Sequence, residues 1–281
     1  MAVKIVTDTL SDITEDLAKE LDVTVVPLYV RFGEEIYRDR VDITSEEFYR
    51  RLVSESALPS TTQPTPNDFL QVYNRLVEET DEILVIVVSS KLSGTYQSAT
   101  QAKEMMKGKC QIEVIDSLSV AMGMGLIVDS VAKAVKEGAD LKTAAGLARS
   151  CISRSHLIAY FDTLKYLAKG GRIGKASGLL GSLLSVKPIL TVREGEMAPL
   201  TRVRSLGAGL DYFYNFAASC SGIQGMAVEH ATTPEQADKL VERLSAIYPK
   251  EKIHRAVISP VIGTYAGPNA IALTILEAEK K

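Results

Sequence analysis

The chain has few of the residues that build disulfide or metal frameworks. Its 281 residues include three cysteines, Cys110, Cys151 and Cys220, which are far apart, and C-x-x-C does not occur. That excludes a disulfide scaffold and a zinc site of the usual spacing, and implies reduced thiols in a cytoplasm. Long hydrophobic runs are missing too. The longest mainly apolar stretch near the middle, "ASGLLGSLLSV" (Ala176 to Val186), lies between Lys175 and Lys187. It is too short for a bilayer, which needs about 20 apolar residues. The apolar part of "MAVKIVTD" is too short for a signal peptide. Net charge is only −3 and Lys and Arg do not cluster, so a nucleic-acid footprint is absent.

Familiar catalytic signatures are also missing. There is no G-x-S-x-G elbow. "GGRIGKAS" puts Ala176 where a phosphate-binding loop needs a hydroxyl, and Gly123 and Gly125 fall inside an expected helix. His156, His230 and His254 are the only histidines, each isolated in sequence. A lone histidine needs placed partners to act, so these read as structural or surface residues. Neither a cofactor nor a metal is implied.

What is present is a large apolar fraction, 46%, enough for a sizeable core in one large domain or two ordinary ones. "VKIVTD", "EILVIVV" and "QIEVIDS" read as strands; the second is the near-continuous β-branched run of a strand buried on both faces. "SDITEDLAKEL" reads as a helix with Ser11 as N-cap, and a longer helix runs from about Ser119 to Glu137. "VTVVPLYVRFGEEIYRD" reads as two strands around Gly33-Glu34, with Pro27 at an edge. This βαβα order predicts an α/β layered fold with a largely parallel sheet.

The texture changes near residues 149–153. "SHLIAYF" restarts a strand, the Gly-rich "GGRIGKASGLLGSLLSVKPIL" reads as a loop entering a small-residue helix, and "PILTVREGEMAPL" as a hairpin turning at Glu194-Gly195. "GMAVEHA" and "PEQADKLVERLSAIYP" form a strand and a helix with Pro234 at its first turn, and the chain closes with a loop and a last helix. The expected division is an N-terminal α/β domain over 1–150 and a C-terminal α/β domain with a mixed sheet over 151–281.

Ligands in open α/β sheets bind beyond the carboxyl ends of strands, where this chain has Thr7-Asp8, Ser89 to Ser93 and Asp116-Ser117; two further hydroxyl loops lie outside those ends. "VVSSKLSGTYQSA" carries Ser89, Ser90, Ser93, Thr95 and Tyr96 around Gly94; "PSTTQPTP" holds Ser60, Thr61 and Thr62 between prolines; "IGTYAGPNA" adds Thr264 and Tyr265. Ser93-Gly94 precedes an expected helix, whose free N–H groups and dipole favour an anion. One carboxylate or phosphate would suit such a site. Plain helix capping by Ser93 or Thr95, and a Pro-fixed turn at 59–66, are the alternatives.

Six blocks in order, "KIVTDTLSDI", "STTQPTP", "SSKLSGTYQSA", "IDS", "YLAKGGRIGKASGLLGSLLSVKPIL" and "VIGTYAGPNA", resemble the DegV family of bacterial fatty-acid-binding proteins, from residue 3 to about residue 275. The resemblance implies two α/β domains with a ligand tunnel between and within them. It implies a long-chain fatty acid whose carboxylate meets hydroxyls at Thr61 or Thr62 and Ser93, near the Gly94 amide, with Tyr265 close to the head group. Met122, Met124 and the 176–186 segment are tail-lining candidates, with ordinary core as their alternative. The family's partner is a separate fatty acid kinase subunit that uses ATP and magnesium. The resemblance therefore implies a non-catalytic lipid carrier, with no nucleic-acid partner and no stable membrane insertion. Arg172 and Arg202 become candidates for kinase docking or head-group contact, against a solvated surface role. Many family members have histidine where this chain has Tyr265, so proton-linked chemistry near neutral pH is in doubt there. The rival reading is a phosphoryl- or acyl-transfer enzyme on the same anion-binding loops, with Asp8, Asp116 or Ser93 acting chemically.

Overall fold

The β-branched run at Glu82–Val87 becomes an inner strand of a parallel sheet, buried on both faces as its composition requires. The computed structural model describes residues 2–180 and 186–279. Its first part runs β1 (Lys4–Asp8), α1 (Glu15–Leu21), β2 (Val23–Val26), β3 (Tyr29–Phe32), β4 (Glu35–Arg38), α2 (Ser45–Ser54), β5 (Ser60–Thr62), α3 (Pro66–Leu76), β6 (Glu82–Val87), α4 (Thr95–Met105), β7 (Gln111–Asp116), α5 (Met122–Lys136) and α6 (Leu141–Ile152). The rest runs β8 (Ser155–Tyr160), α7 (Lys165–Lys169), β9 (Lys187–Arg193), β10 (Glu196–Val203), α8 (Leu206–Ser219), β11 (Ile223–His230), α9 (Pro234–Leu244), β12 (Ile253–Val257), α10 (Pro260–Ala266) and β13 (Ile271–Glu277).

Among the described residues three sheets form. The first is parallel, in the order β2-β1-β6-β7. The second is mixed, β10-β9-β8-β13-β11-β12, with only β11 and β12 parallel. A small antiparallel sheet, β4-β3-β5, carries Thr61 and Thr62. The protein thus has the α/β architecture with one parallel and one mixed sheet.

Side-chain alternation sorts the core. Ile83, Val85 and Val87 point to Phe69 and Tyr73 of α3 and to Ala99 and Ala102 of α4. Leu84, Ile86 and Val88 point the other way, to the cluster holding α5 and α6. In the second sheet Ile158, Val228, Leu273 and Ile275 face α8 and α9, while Leu157, Ala159 and Ala272 face back toward α5. Helix α5 therefore packs on β6 with one side and on β8, β11 and β13 with the other. A helix wrapped in core must be apolar around its whole circumference, and Met122 through Val128 are all buried.

Several local readings change in three dimensions. Ser11 does not cap α1: it sits in a 3-10 turn, Thr9–Ser11, and its Oγ donates to the Asp8 carbonyl. Asp12 then takes a left-handed φ of 50°, which breaks the chain, and Thr14 caps α1 instead. Helix α5 starts at Met122, not Ser119, because Leu118 (φ 49°) and Ala121 (φ 56°) hold a turn before it. Pro27 splits the expected two strands into three by ending β2 before β3 begins. The closing segment is strand β13, not a helix. Its Ala, Leu and Glu favour helix, but pairing with β8 and β11 buries both faces and overrides that preference. The helix expected over 176–186 is a 3-10 turn, Gly174–Leu179, followed by extended Leu180; residues 181–185 lie outside the described residues. The hairpin at Glu194-Gly195 forms, both residues having positive φ (54° and 82°) as a tight hairpin turn demands. Among the described residues no helix is long and apolar enough to cross a membrane.

Because α5 joins both sheets, Ile127→Ala, at a fully buried position, is expected to cost about 2–5 kcal/mol in urea denaturation. Circular dichroism and calorimetry should then show one cooperative transition. Two separated transitions would contradict the shared core.

Candidate functional site

The parallel sheet reverses its direction of winding between β1 and β6, and a crevice opens there at the strand ends. Each strand delivers an apolar residue to it: Leu10 from the 3-10 turn after β1 and Leu92 from the loop after β6. Other elements close the crevice. The small sheet brings Thr61 and Thr62, α10 brings Tyr265, and the loop after α7 brings Arg172. Together with Gln63, Ser93 and Ser98 they line a pocket of about 370 Å³.

The hydroxyls in it are arranged in pairs. Thr61 Oγ1 and Tyr265 Oη are 2.5 Å apart. Ser93 Oγ and Thr95 Oγ1 are 2.8 Å apart, and Ser93 Oγ also accepts the Thr95 N–H at 3.3 Å. Each pair owns two hydroxyl hydrogens and uses one internally. With Thr95 fully buried, donation from Thr95 to Ser93 leaves the Ser93 hydrogen free. Two donors, one per pair, therefore remain for the two oxygens of a carboxylate. Strand alternation makes Thr61 half-buried and Thr62 exposed, so Thr61 is the one that meets Tyr265. Thr65, in the same loop, forms a capping box with Asp68 at the start of α3.

Gly94 adjoins the pocket and Arg202 stands elsewhere. Gly94, beside Ser93, is the N-cap of α4, and it is glycine for space: a Cβ there would lie 2.3 Å from the side chain of the pocket residue Gln63. Arg202 is exposed on the edge strand β10 and lines neither this pocket nor the cavity below. Arg172 donates from Nε to the Leu92 carbonyl (3.1 Å) and from Nη1 to the Gly170 carbonyl (2.9 Å). Its guanidinium lies 5.0 Å from the Tyr265 ring centroid, a cation–π contact. Gly170 is glycine for space, since a Cβ would sit 2.3 Å from the Tyr265 ring.

Behind the pocket lies an apolar cavity. Leu10, Leu92, Arg172, Val261 and Tyr265 belong to both walls. Farther in, Leu157, Ala159, Phe161, Met197 and Ala272 line it from the second sheet. It is narrow, with a volume of about 90 Å³. Met122 and Met124 are fully buried core residues outside this lining.

The carboxylates suspected of chemistry are engaged otherwise. Asp8 accepts the Leu10 N–H and the Val88 N–H, each at 2.8 Å, while Asp116 Oδ1 accepts from Leu118 N (2.9 Å) and Ser90 N (3.2 Å). Both hold backbone. His156 meets Glu277 at 3.2 Å on the surface, and no histidine lines the pocket or the cavity. Among the described residues no group of His, Cys, Asp and Glu is arranged to hold a metal. Sequence reasoning missed a knot of buried acids, Asp12, Asp39 and Glu229, with Arg40 3.9 Å from Asp12. Burial pushes Glu229 well up, helped by the Asp12 charge, and raises Asp12 against the opposing Arg40. Asp39 is pushed up to about 8 by burial and then by Asp12; Asp8 is pushed up to about 7 by burial, against its two N–H donors.

Raised carboxyl values carry a sign for stability. The folded chain keeps protons that the unfolded chain releases in the ordinary carboxylate range, so stability falls as pH rises through the folded values. Melting temperature should therefore decline from about pH 6.5 to about pH 9, above the histidine range. Asp39→Asn should flatten the decline. A melting temperature that climbs across that window would contradict neutral buried acids.

Comparison with known proteins identifies the family. A family model described as "Uncharacterised protein, DegV family" matches residues 2–278. A DegV domain-containing protein of Caldanaerobacter subterraneus subsp. tengcongensis is 37% identical over 272 residues, covering 95% of this chain and 96% of that one. Among solved structures, a DegV family protein from Thermus thermophilus described for fatty acid binding is 31% identical with a TM-score of 0.91, covering 99% of this chain and 100% of that one. A stearic acid-binding protein from Eubacterium ventriosum is 26% identical with a TM-score of 0.89, covering 98% of each chain. On sequence and architecture together, the chain belongs to the DegV family.

Proposed function

We propose that this protein binds one long-chain fatty acid in the cytoplasm and presents it to a separate ATP-dependent kinase for acyl-phosphate formation. The observation that carries the reading is the shared wall. A hydroxyl-lined pocket and an apolar cavity meet at Leu10, Leu92, Arg172, Val261 and Tyr265. A molecule with a carboxylate at one end and a hydrocarbon tail at the other spans the two. The relatives described as fatty-acid-binding support the ligand class. Each buried methylene contributes about 0.8 kcal/mol, so a tail of about fourteen contributes roughly 11 kcal/mol before ordering costs.

The head group is held without a buried ion pair, whose desolvation can exceed its attraction. Ser93 and the Thr61–Tyr265 pair supply the donors. Arg172 stays at the exposed rim, held by the Leu92 and Gly170 carbonyls. That leaves the carboxylate near solvent, where a kinase can reach it. Arg202, exposed and away from both cavities, belongs in this reading to the kinase-facing surface.

Two substitutions separate binding from presentation. Thr61→Ala with Ser93→Ala removes hydrogen bonds to a charged group, worth about 1.5–3 kcal/mol each, and should weaken fatty-acid binding at least tenfold. Unchanged retention by native mass spectrometry would sink the hydroxyl cradle. Arg202→Ala should retain fatty acid normally and lower acyl-phosphate output with the kinase; normal output would remove it from the docking surface.

A further inference from the structure

Helix α10 walls the site. Val261, Ile262, Tyr265 and Ala266 line the apolar cavity, and Tyr265 also lines the outer pocket, where it meets Thr61. The start of this helix rests on Asp12, Asp39 and Glu229, all fully buried. Asp12 accepts the N–H of Ser259, the residue before the helix, at 3.3 Å. The Val261 N–H, in the first turn, is turned toward Asp39. Glu229 bonds to Asp12, and its Oε1 accepts the Met122 N–H at the start of α5, at 3.1 Å. Helix α2 packs on α10 as well. Tyr49 Oη donates to the Ile258 carbonyl at 3.1 Å, and a Cβ on Gly263 would lie 2.6 Å from that oxygen. The knot of acids thus supports the one helix that carries Tyr265.

An ionised carboxylate only accepts, so the Asp12–Glu229 bond exists only while one of the two holds a proton. The other charged or titratable groups facing the knot are Arg40, 3.9 Å from Asp12, then Asp8, and Tyr49, whose buried phenol stays protonated. One guanidinium therefore faces several carboxyls. Full ionisation would break the bridge between Asp12 and Glu229 and leave like charges repelling one another beneath residues 259–261. We propose that Asp12, Asp39 and Glu229 are positioning residues whose protons hold α10 and Tyr265 in the binding arrangement, so that ionisation of the knot loosens the site and weakens fatty-acid binding. This rests on the fatty-acid reading above and adds its regulation by pH. The acids touch no part of the ligand and act through the helix.

The test is equilibrium dialysis of radiolabelled myristic acid against the full-length protein from about pH 6.5 to about pH 9, with folding checked by circular dichroism. The ligand is kept dilute enough to be monomeric, with its own carboxyl ionised throughout. Asp39 is pushed up to about 8 by burial and then by Asp12. Ionisation of one coupled group of that value weakens binding about tenfold by pH 9. Asp39→Asn should bind as wild type does at the low end and flatten the decline to within about twofold. Calorimetry in buffers of different ionisation enthalpy supplies a readout that needs no variant to fold: wild type should take up about half a proton per fatty acid bound near pH 8. Myristic acid bound equally well across the window, with no proton uptake, refutes the positioning role and leaves the fatty-acid reading standing. A decline that Asp39→Asn shares in full refutes it too. If myristic acid binds at no pH, both ideas fall together.

Discussion

The site depends on Asp8 holding the ends of two strands together. Its two carboxylate oxygens reach Leu10 N after β1 and Val88 N at the end of β6. Those turns carry Leu10 on one side and Leu92 and Ser93 on the other, which form the crevice wall and the first hydroxyl. A fully buried carboxyl in that position is costly, and the rise of its pKa to about 7 reflects that cost. The strand ends of a parallel sheet leave backbone N–H groups without ladder partners, and Asp8 satisfies two of them where the sheet changes winding.

The second constraint is the position of α5. Because both sheets pack on it, Leu10 after β1, Ala121 before α5 and Leu157 of β8 come together in the wall of the apolar cavity. Polar loops from the small sheet and α10 cover the outer end, and strands β8, β11 and β13 line the inner end. Head-group and tail chemistry are thus separated by distance along one crevice. The hairpin at Glu194-Gly195 ties the two sheets at a further point, where Ser89 Oγ donates to the Gly195 carbonyl at 2.8 Å.

Much of this was legible in the sequence. The β-branched run at 82–88 and the hairpin turn at Glu194-Gly195 each act locally, so their readings needed no tertiary context. The hydroxyl clusters read as one site through the family resemblance, and the structure brings Thr61, Thr62, Ser93, Arg172 and Tyr265 to a single pocket. What the sequence hid is non-local. Strand β13 carries helix-forming residues and is a strand only because it inserts between β8 and β11. Glu229 sits inside the apolar run "GMAVEHA", and its meeting with Asp12, over two hundred residues away, follows from packing alone.

The central claim is that one acyl chain lies across the shared wall with its carboxylate among the hydroxyls. Native mass spectrometry of the protein purified from a bacterial host, followed by organic extraction, tests it most directly. The account predicts one long-chain fatty acid per chain, released only on extraction. A protein that arrives empty and takes up no added fatty acid would contradict it.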